Sequence, residues 1–228
     1  MRNLVRYFRK TCFIISPNGD LYFIIRHLLK TPKISPNSMS GNELSTALVE
    51  LCRNKNVLEF GSGGSTLLIG KVAKKLISIE SDRKFAKNLS KTICSMGLDT
   101  TEIIYANIGP VKSFGQPIEF LAAFFRRKYP RYTDIFYSEP IQIETLASIV
   151  FVDGRFRVWC VIESIRNIRK NFTIVFDDYL SRSEYHSLGC LLGDPYQVVG
   201  DAAFFFVKAN SIKNIELVEF EKYRYDFR

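Results

Sequence analysis

The chain has 228 residues but only two histidines, and no pair among its five cysteines stands in a C-x-x-C spacing. Cys12, Cys52, Cys94, Cys160 and Cys190 are odd in number and widely separated, which argues against a disulfide framework and against a zinc centre. A reducing, cytoplasmic setting is expected for such thiols. Long apolar runs are also missing. Residues 12–15 are closed off by Ser16-Pro17-Asn18-Gly19-Asp20, and residues 22–25 by Arg26 and His27, so neither a secretory signal nor a bilayer-spanning helix is expected. No internal repeat or low-complexity tract is present. Hydrophobic residues make up 46% of the chain and charged residues 24%, the balance of a folded α/β domain rather than of a disordered or fibrous chain.

The net charge of +9 is unevenly spread. Residues 1–33 hold seven Lys/Arg against one Asp and so carry six of the nine net charges. Such a leader suits peripheral contact with an anionic membrane surface or with nucleic acid, or else a solvated helix packed on the domain edge. Pro32 and Pro36 interrupt any helix that would join it to the rest of the chain. The expected division is a basic leader and linker over 1–37 and one domain over 38–228.

Within that domain, Ser40 or Asn42 is placed to cap a helix carrying Leu44, Ala47, Leu48 and Leu51 on one face. Short apolar runs then alternate with helical stretches. Residues 57–60, 76–80, 103–106, 149–152 and 173–176 read as parallel strands buried on both faces, and 196–199 with 203–207 as an antiparallel hairpin at the sheet edge. The fold class is therefore α/β: a Rossmann-like seven-stranded sheet, mostly parallel, with an antiparallel C-terminal hairpin and helices on both faces. A terminal amphipathic element is expected over about 215–223. The stretch 109–142 breaks the rhythm, being long, aromatic and basic, and reads as a lid or substrate-binding insertion.

The segment Val57-Leu58-Glu59-Phe60-Gly61-Ser62-Gly63-Gly64-Ser65-Thr66 puts glycines where a strand must turn sharply into a helix. Dinucleotide enzymes and S-adenosylmethionine (SAM) enzymes both use this device. A dinucleotide fingerprint wants a third glycine where Thr66 stands, and does not ask for an acid two residues before the first glycine. Glu59 occupies that place and is a candidate anchor for the ammonium end of SAM. Glu80 lies 21 residues further on, at the end of the second strand, where it can accept from ribose hydroxyls; Asp82 is the reserve.

At these residues the chain resembles the class I SAM-dependent methyltransferases, over most of 38–228. Glu59 to Ser65 looks like their first cofactor motif, and Ile79-Glu80-Ser81-Asp82 like the acidic end of their second strand. A bacterial subgroup is similar more narrowly, at Asn107-Ile108-Gly109-Pro110, Phe114-Gly115-Gln116-Pro117, Val152-Asp153-Gly154-Arg155-Phe156-Arg157-Val158 and the terminal Tyr223 to Arg228. The resemblance implies a cofactor site of Glu59, Gly61, Ser62, Gly63, Ser65, Glu80, Asn107 and Asp153. The family often has an acid near position 107, where this chain has Asn107.

Asp153 at the end of the fourth strand and Asp177-Asp178 at the end of the fifth would line the ligand crevice. Their placement is similar to that in divalent-metal O-methyltransferases, which implies Mg²⁺ on the three carboxylates. The metal-free alternative makes Asp153, His186 or Tyr179 a general base, with Asp178 also at the catalytic end. Arg155 and Arg157, if the strand stays extended, point together toward an anionic group on the substrate, beside Tyr179, or else serve structurally by pairing with Asp178 or Glu163. An N-P-P-Y motif for base amino groups is absent, which favours a small-molecule, sugar or glycan hydroxyl over nucleic acid as acceptor. An RNA-binding methyltransferase, and a SAM- or nucleotide-binding protein without transfer activity, are the other readings.

Overall fold

The computed structural model describes residue 34 and residues 42–137, 147–209 and 217–227. Almost all of the basic leader and its linker, the Ser40 cap, residues 138–142 of the insertion, the start of the terminal element and Arg228 lie outside the described residues.

Seven strands form one sheet: β1 (Asn56–Phe60), β2 (Lys75–Glu80), β3 (Thr101–Tyr105), β4 (Ile149–Val152), β5 (Phe172–Phe176), β6 (Gln197–Val199) and β7 (Ala202–Val207). Their order in space is β3-β2-β1-β4-β5-β7-β6. The first five run parallel, while β7 pairs antiparallel with both β5 and β6. The order reverses between β1 and β4, so a crevice opens beyond their carboxyl ends.

Among the described residues, the longer helices that flank the sheet are α1 (Asn42–Cys52), α2 (Gly64–Gly70), α3 (Arg83–Ser95) and α4 (Arg157–Asn167). Strand alternation sorts the core into two layers. Val57, Ile149, Phe151 and Val175 meet Leu44, Leu48 and Cys52 of α1 and Ile69 of α2 on one face. Leu58, Phe60, Val150, Val152 and Ile174 meet Trp159 and Ile162 of α4 on the other. Because β1, β4 and β5 are covered on both sides, they read as mainly apolar runs, with Glu59 and Thr173 as buried polar exceptions. β3 departs from that expectation: it is the edge strand, and Glu102 and Tyr105 face solvent because a single neighbour and partial helix cover leave half of it open.

The insertion makes one α-helical turn at Ala122–Phe125 and continues as 3₁₀ turns over Arg126–Tyr137. Its Tyr129, Tyr132 and Ile135 are buried in the α4-side core, so this stretch is part of the domain's packing and not only a cover. The C-terminal segment Leu217–Tyr225 is 3₁₀ and not an amphipathic α-helix. It holds on through Phe220, Tyr223, Tyr225 and Phe227, which pack against the same core. Among the described residues, no helix is long and apolar enough to cross a membrane.

Phe151 is fully buried between α1 and the sheet. Phe151→Ala is expected to cost about 3–5 kcal/mol, as large-to-small core changes do, read from urea unfolding as a lower midpoint with an unchanged slope.

Candidate functional site

The turn from β1 into α2 is built on a buried carboxylate. Alternation along β1 sends the Glu59 side chain to the α2 face, where it is 0% exposed. Ser78 is its partner in the β1–β2 register and donates to Oε2 at 2.5 Å, while Thr66 donates to the same oxygen at 2.6 Å. Ser65 donates to Oε1. Burial pushes the Glu59 carboxyl up, and the three hydroxyls pull it back toward the ionised form. Thr66 in turn accepts from the Gly63 N–H at 2.8 Å, and Ser62 Oγ meets Ser78 Oγ at 2.6 Å. The expectation that Glu59 touches the cofactor is thereby revised: Glu59 and Ser65 lie beneath the turn, and the partly exposed groups that face outward are Gly61, Ser62 and Gly63.

Gly61 has φ +102°, and its N–H donates to the Ile79 carbonyl at 3.0 Å. A Cβ there would stand 2.5 Å from the backbone of Gly154, so the loops after β1 and β4 touch through two glycines. The Tyr132 hydroxyl closes the far side of Gly154.

Glu80 ends β2, and its Oε1 accepts from the Asp82 N–H at 2.6 Å. It is 7% exposed. Burial, with the Asp82 charge added, raises its carboxyl to about 7. The reserve candidate Asp82 is the cap of α3, accepting from the N–H groups of Lys84 and Phe85 at 2.9 and 3.2 Å. Asn107 is exposed just past β3; the neighbouring Ala106 N–H donates to the Glu80 carbonyl, which keeps Asn107 at the β2 end. The insertion reaches this corner too. Gly115, at φ +66°, lies so close to Ser81 Oγ that no side chain fits there, and its carbonyl accepts from that hydroxyl at 3.2 Å.

On the other side of the crevice, one guanidinium organises the loops after β4 and β5. Arg157 is 4% exposed. Its Nε donates to the Gly154 carbonyl, Nη1 to the Asp177 carbonyl, and Nη2 to the carbonyl and Oδ1 of Asp153, all within 2.7–3.3 Å, and Nη1 is ion-paired with Asp178 Oδ2 at 3.1 Å. Asp178 carries φ 57° and is also bound by Arg182 at 2.7 Å. Asp153 and Asp177 lie close enough to share a proton, and burial with mutual repulsion raises both carboxyls, against the pull of Arg157.

This arrangement corrects several expectations. Among the described residues, no group of three His, Cys, Asp or Glu side chains is placed to hold a metal ion. Asp153 and Asp178 turn onto Arg157 instead of converging on a common point, so the three carboxylates do not fit Mg²⁺. Arg157 is beyond a substrate's reach, because Phe156 at φ 54° starts α4 at Arg157 and breaks the extended alternation that would have paired it with Arg155. Arg155 is partly exposed and donates to the Phe114 carbonyl at 3.1 Å, tethering the insertion. Tyr179 packs edge-on against Phe176 and Phe205 and is 7% exposed, which removes it as a substrate contact or base. His186 is exposed and stacks on Tyr179 at 5.0 Å, with Nε2 2.9 Å from the Tyr179 carbonyl. A carbonyl only accepts, so Nε2 carries the proton there, and the ring serves the β5 loop rather than Asp153.

Five residues of this site were given no role from the sequence: Ser78, Thr66, Gly154, Ser81 and Tyr132. Thr66, Ser81 and Gly154 stood only as members of quoted motifs.

No protein-family model matches the chain, and no curated protein matches it. Among solved structures it is similar to a methyltransferase-like protein from Silicibacter pomeroyi DSS-3, at 28% identity and TM-score 0.75 over 85% of this chain and 100% of that one. It is also similar to cofactor-bound Rv0187 from MTB, at 16% identity and TM-score 0.52 over 90% and 95% of the two chains, a likeness of fold.

Removing Arg157 would leave Asp153 and three carbonyls without their donor and Asp178 with Arg182 alone. Arg157→Ala is expected to destabilise the domain by about 3–5 kcal/mol, whereas Arg155→Ala, at a partly exposed tether, should cost about 1 kcal/mol or less. Thermal unfolding of both variants checks the contrast.

Proposed function

We propose that this chain, which has the fold of the class I SAM-dependent methyltransferases, moves the methyl group of SAM to a hydroxyl oxygen of a small metabolite, sugar or glycan. One observation carries the reading. The outward-facing Gly61–Gly63 backbone, Glu80 and the Asp153–Asp177 pair all stand at the carboxyl edge of the sheet, around the reversal between β1 and β4. The likeness to a methyltransferase-like protein supports it.

When bound, SAM supplies an electrophilic methyl group on a sulfonium. The Gly61–Gly63 backbone would let its amino-acid end approach closely, Glu80 would accept from its ribose hydroxyls, and Asn107 would stand near its base. Asp153 takes the acceptor's hydroxyl proton, and the methyl transfer this permits would join carbon to the acceptor oxygen and leave S-adenosylhomocysteine. The raised Asp153–Asp177 pair is a stronger base than an ordinary carboxylate, and Arg157 holds it in place. No step requires a metal.

Glu80→Ala should weaken S-adenosylhomocysteine binding by about 1.5–3 kcal/mol, the worth of hydrogen bonds to a charged group, in calorimetry. Below about pH 7 the wild-type carboxyl holds a proton and loses acceptor capacity, so affinity should rise as pH passes through that value, and Glu80→Gln should flatten the profile. Asp153→Asn should lower kcat by about 10²–10⁴, the contribution of a general base, with little change in cofactor affinity. Turnover of the wild type should survive exhaustive chelation; loss of activity that Mg²⁺ restores would overturn the metal-free scheme.

A further inference from the structure

Charge is segregated on this molecule. Residues 53–91 hold nine Lys/Arg and three acids, a net +6 equal to that of the leader, so the remainder of the chain nets −3. The three acids are Glu59, Glu80 and Asp82, all buried. Seven of the nine cations are exposed and the other two partly so, and every exposed charge of this stretch is therefore positive.

The fold gathers these cations on one flank. Lys74 N–H donates to the Lys55 carbonyl at 2.9 Å and Asn54 N–H to the Val72 carbonyl at 2.8 Å, which sets Arg53 and Lys55 beside Lys71 and Lys74 at the amino edge of the sheet. Next to them, α3 packs on β2 and β3 and shares the Leu67, Leu89 and Ile93 cluster with α2. Because Ala86, Leu89 and Ile93 face inward, Arg83, Lys87 and Lys91, spaced four apart, form a stripe along the outer side of α3. Gly70 leaves no room for a Cβ beside Thr101 and Leu98, so Lys71 adjoins the turn from α3 into β3. Glu50, Asp99 and Glu102 are the exposed acids that border this flank. Among the described residues, none of the seven exposed cations is ion-paired. The leader joins the domain at the same place, since Ile34 packs against the cluster between α2 and α3.

The side chains select between two anionic partners. Nucleic acid is read by arginine forks on base edges or by exposed aromatic rings that stack on bases. Residues 53–91 have seven lysines against two arginines and no exposed large hydrophobic or aromatic side chain. Lysines are point charges that need no fixed geometry, which suits the diffuse negative charge of a lipid headgroup layer. The leader supplies a second signal, interleaving its cations with Tyr7, Phe8, Phe13, Tyr22 and Phe23, as segments that bind the bilayer interface do.

We propose that the flank made by α3 and the amino ends of β1 and β2 docks, with the leader, on an anionic bilayer surface. Asp153 and Asp177 follow β4 and β5, on the other side of β1 from α3, so docking leaves the acceptor side of the crevice uncovered. The proposal stands apart from the methyl-transfer reading.

Flotation of the full chain with vesicles of phosphatidylcholine alone, or of phosphatidylcholine and phosphatidylserine in equal parts, tests it. Binding is expected to the anionic vesicles only, and should fall as salt rises. The triple variant Lys71→Gln, Lys74→Gln, Lys87→Gln should bind them about tenfold to a hundredfold more weakly, each cation at such a surface being worth up to about fivefold. A second triple variant, Arg127→Gln, Arg131→Gln, Lys222→Gln, removes the same charge from exposed positions on the insertion and C-terminal segment, and should stay within about twofold of wild type. Thermal midpoints of both should match wild type. No binding to either vesicle, equal binding to both vesicles, a flank variant that binds like wild type, or equal weakening by the two variants would overturn the proposal. So would an RNA duplex that displaces the chain from the vesicles and is itself bound less tightly by the flank variant, which would make the partner a nucleic acid.

Discussion

The carboxylate of Glu59 is sealed under the turn it shapes, and the cofactor side of the crevice follows from how that charge is satisfied. A carboxylate at 0% exposure is tolerable only with donors on both oxygens, and Ser65, Thr66 and Ser78 supply them. Two of those hydroxyls belong to the first turn of α2 and one to β2. The network therefore ties the helix start to two strands and leaves the backbone of Gly61, Ser62 and Gly63 to face outward. Glu59 is thus a positioning residue for the turn.

Arg157 does for the loops after β4 and β5 what Glu59 does for the glycine turn, with the charges reversed. A buried guanidinium with four hydrogen-bond acceptors and an ion pair to Asp178 binds those loops into one unit. The two networks meet at the contact between Gly61 and Gly154, which only a pair of residues without Cβ atoms permits. The distance between the cofactor turn and Asp153 is consequently set by backbone contact, the least compressible kind available. Tyr132 and Gly115 bring the insertion onto both halves, so the segment that breaks the α/β rhythm also covers the crevice.

Much of this architecture was legible in the residues. The runs at 57–60, 76–80, 149–152 and 173–176 read as strands because central parallel strands are buried on both faces and stay mainly apolar, Glu59, Ser78, Glu80 and Thr173 apart, and the glycine turn marked the crevice. The edge strand β3 was located, but its exposure was not, since that depends on having one neighbour instead of two. Arg157 was read either as facing a substrate with Arg155 or as pairing with Asp178 or Glu163, and it pairs with Asp178, because alternation holds only while the backbone stays extended. The left-handed Phe156 ends that condition one residue too early for the pattern to show it.

The sequence by itself determined the sheet, the place of the turn and the acids at the strand ends, because hydrophobic periodicity and glycine tolerance are local properties of the chain. Only the tertiary structure decided what those acids do. Ser78 meets Glu59 through the β1–β2 register, and Arg157 joins Asp153 to Asp177 and Asp178 across two loops. The state of a buried charge is set by partners that folding brings from distant positions, and no spacing along the chain encodes which of them arrives first.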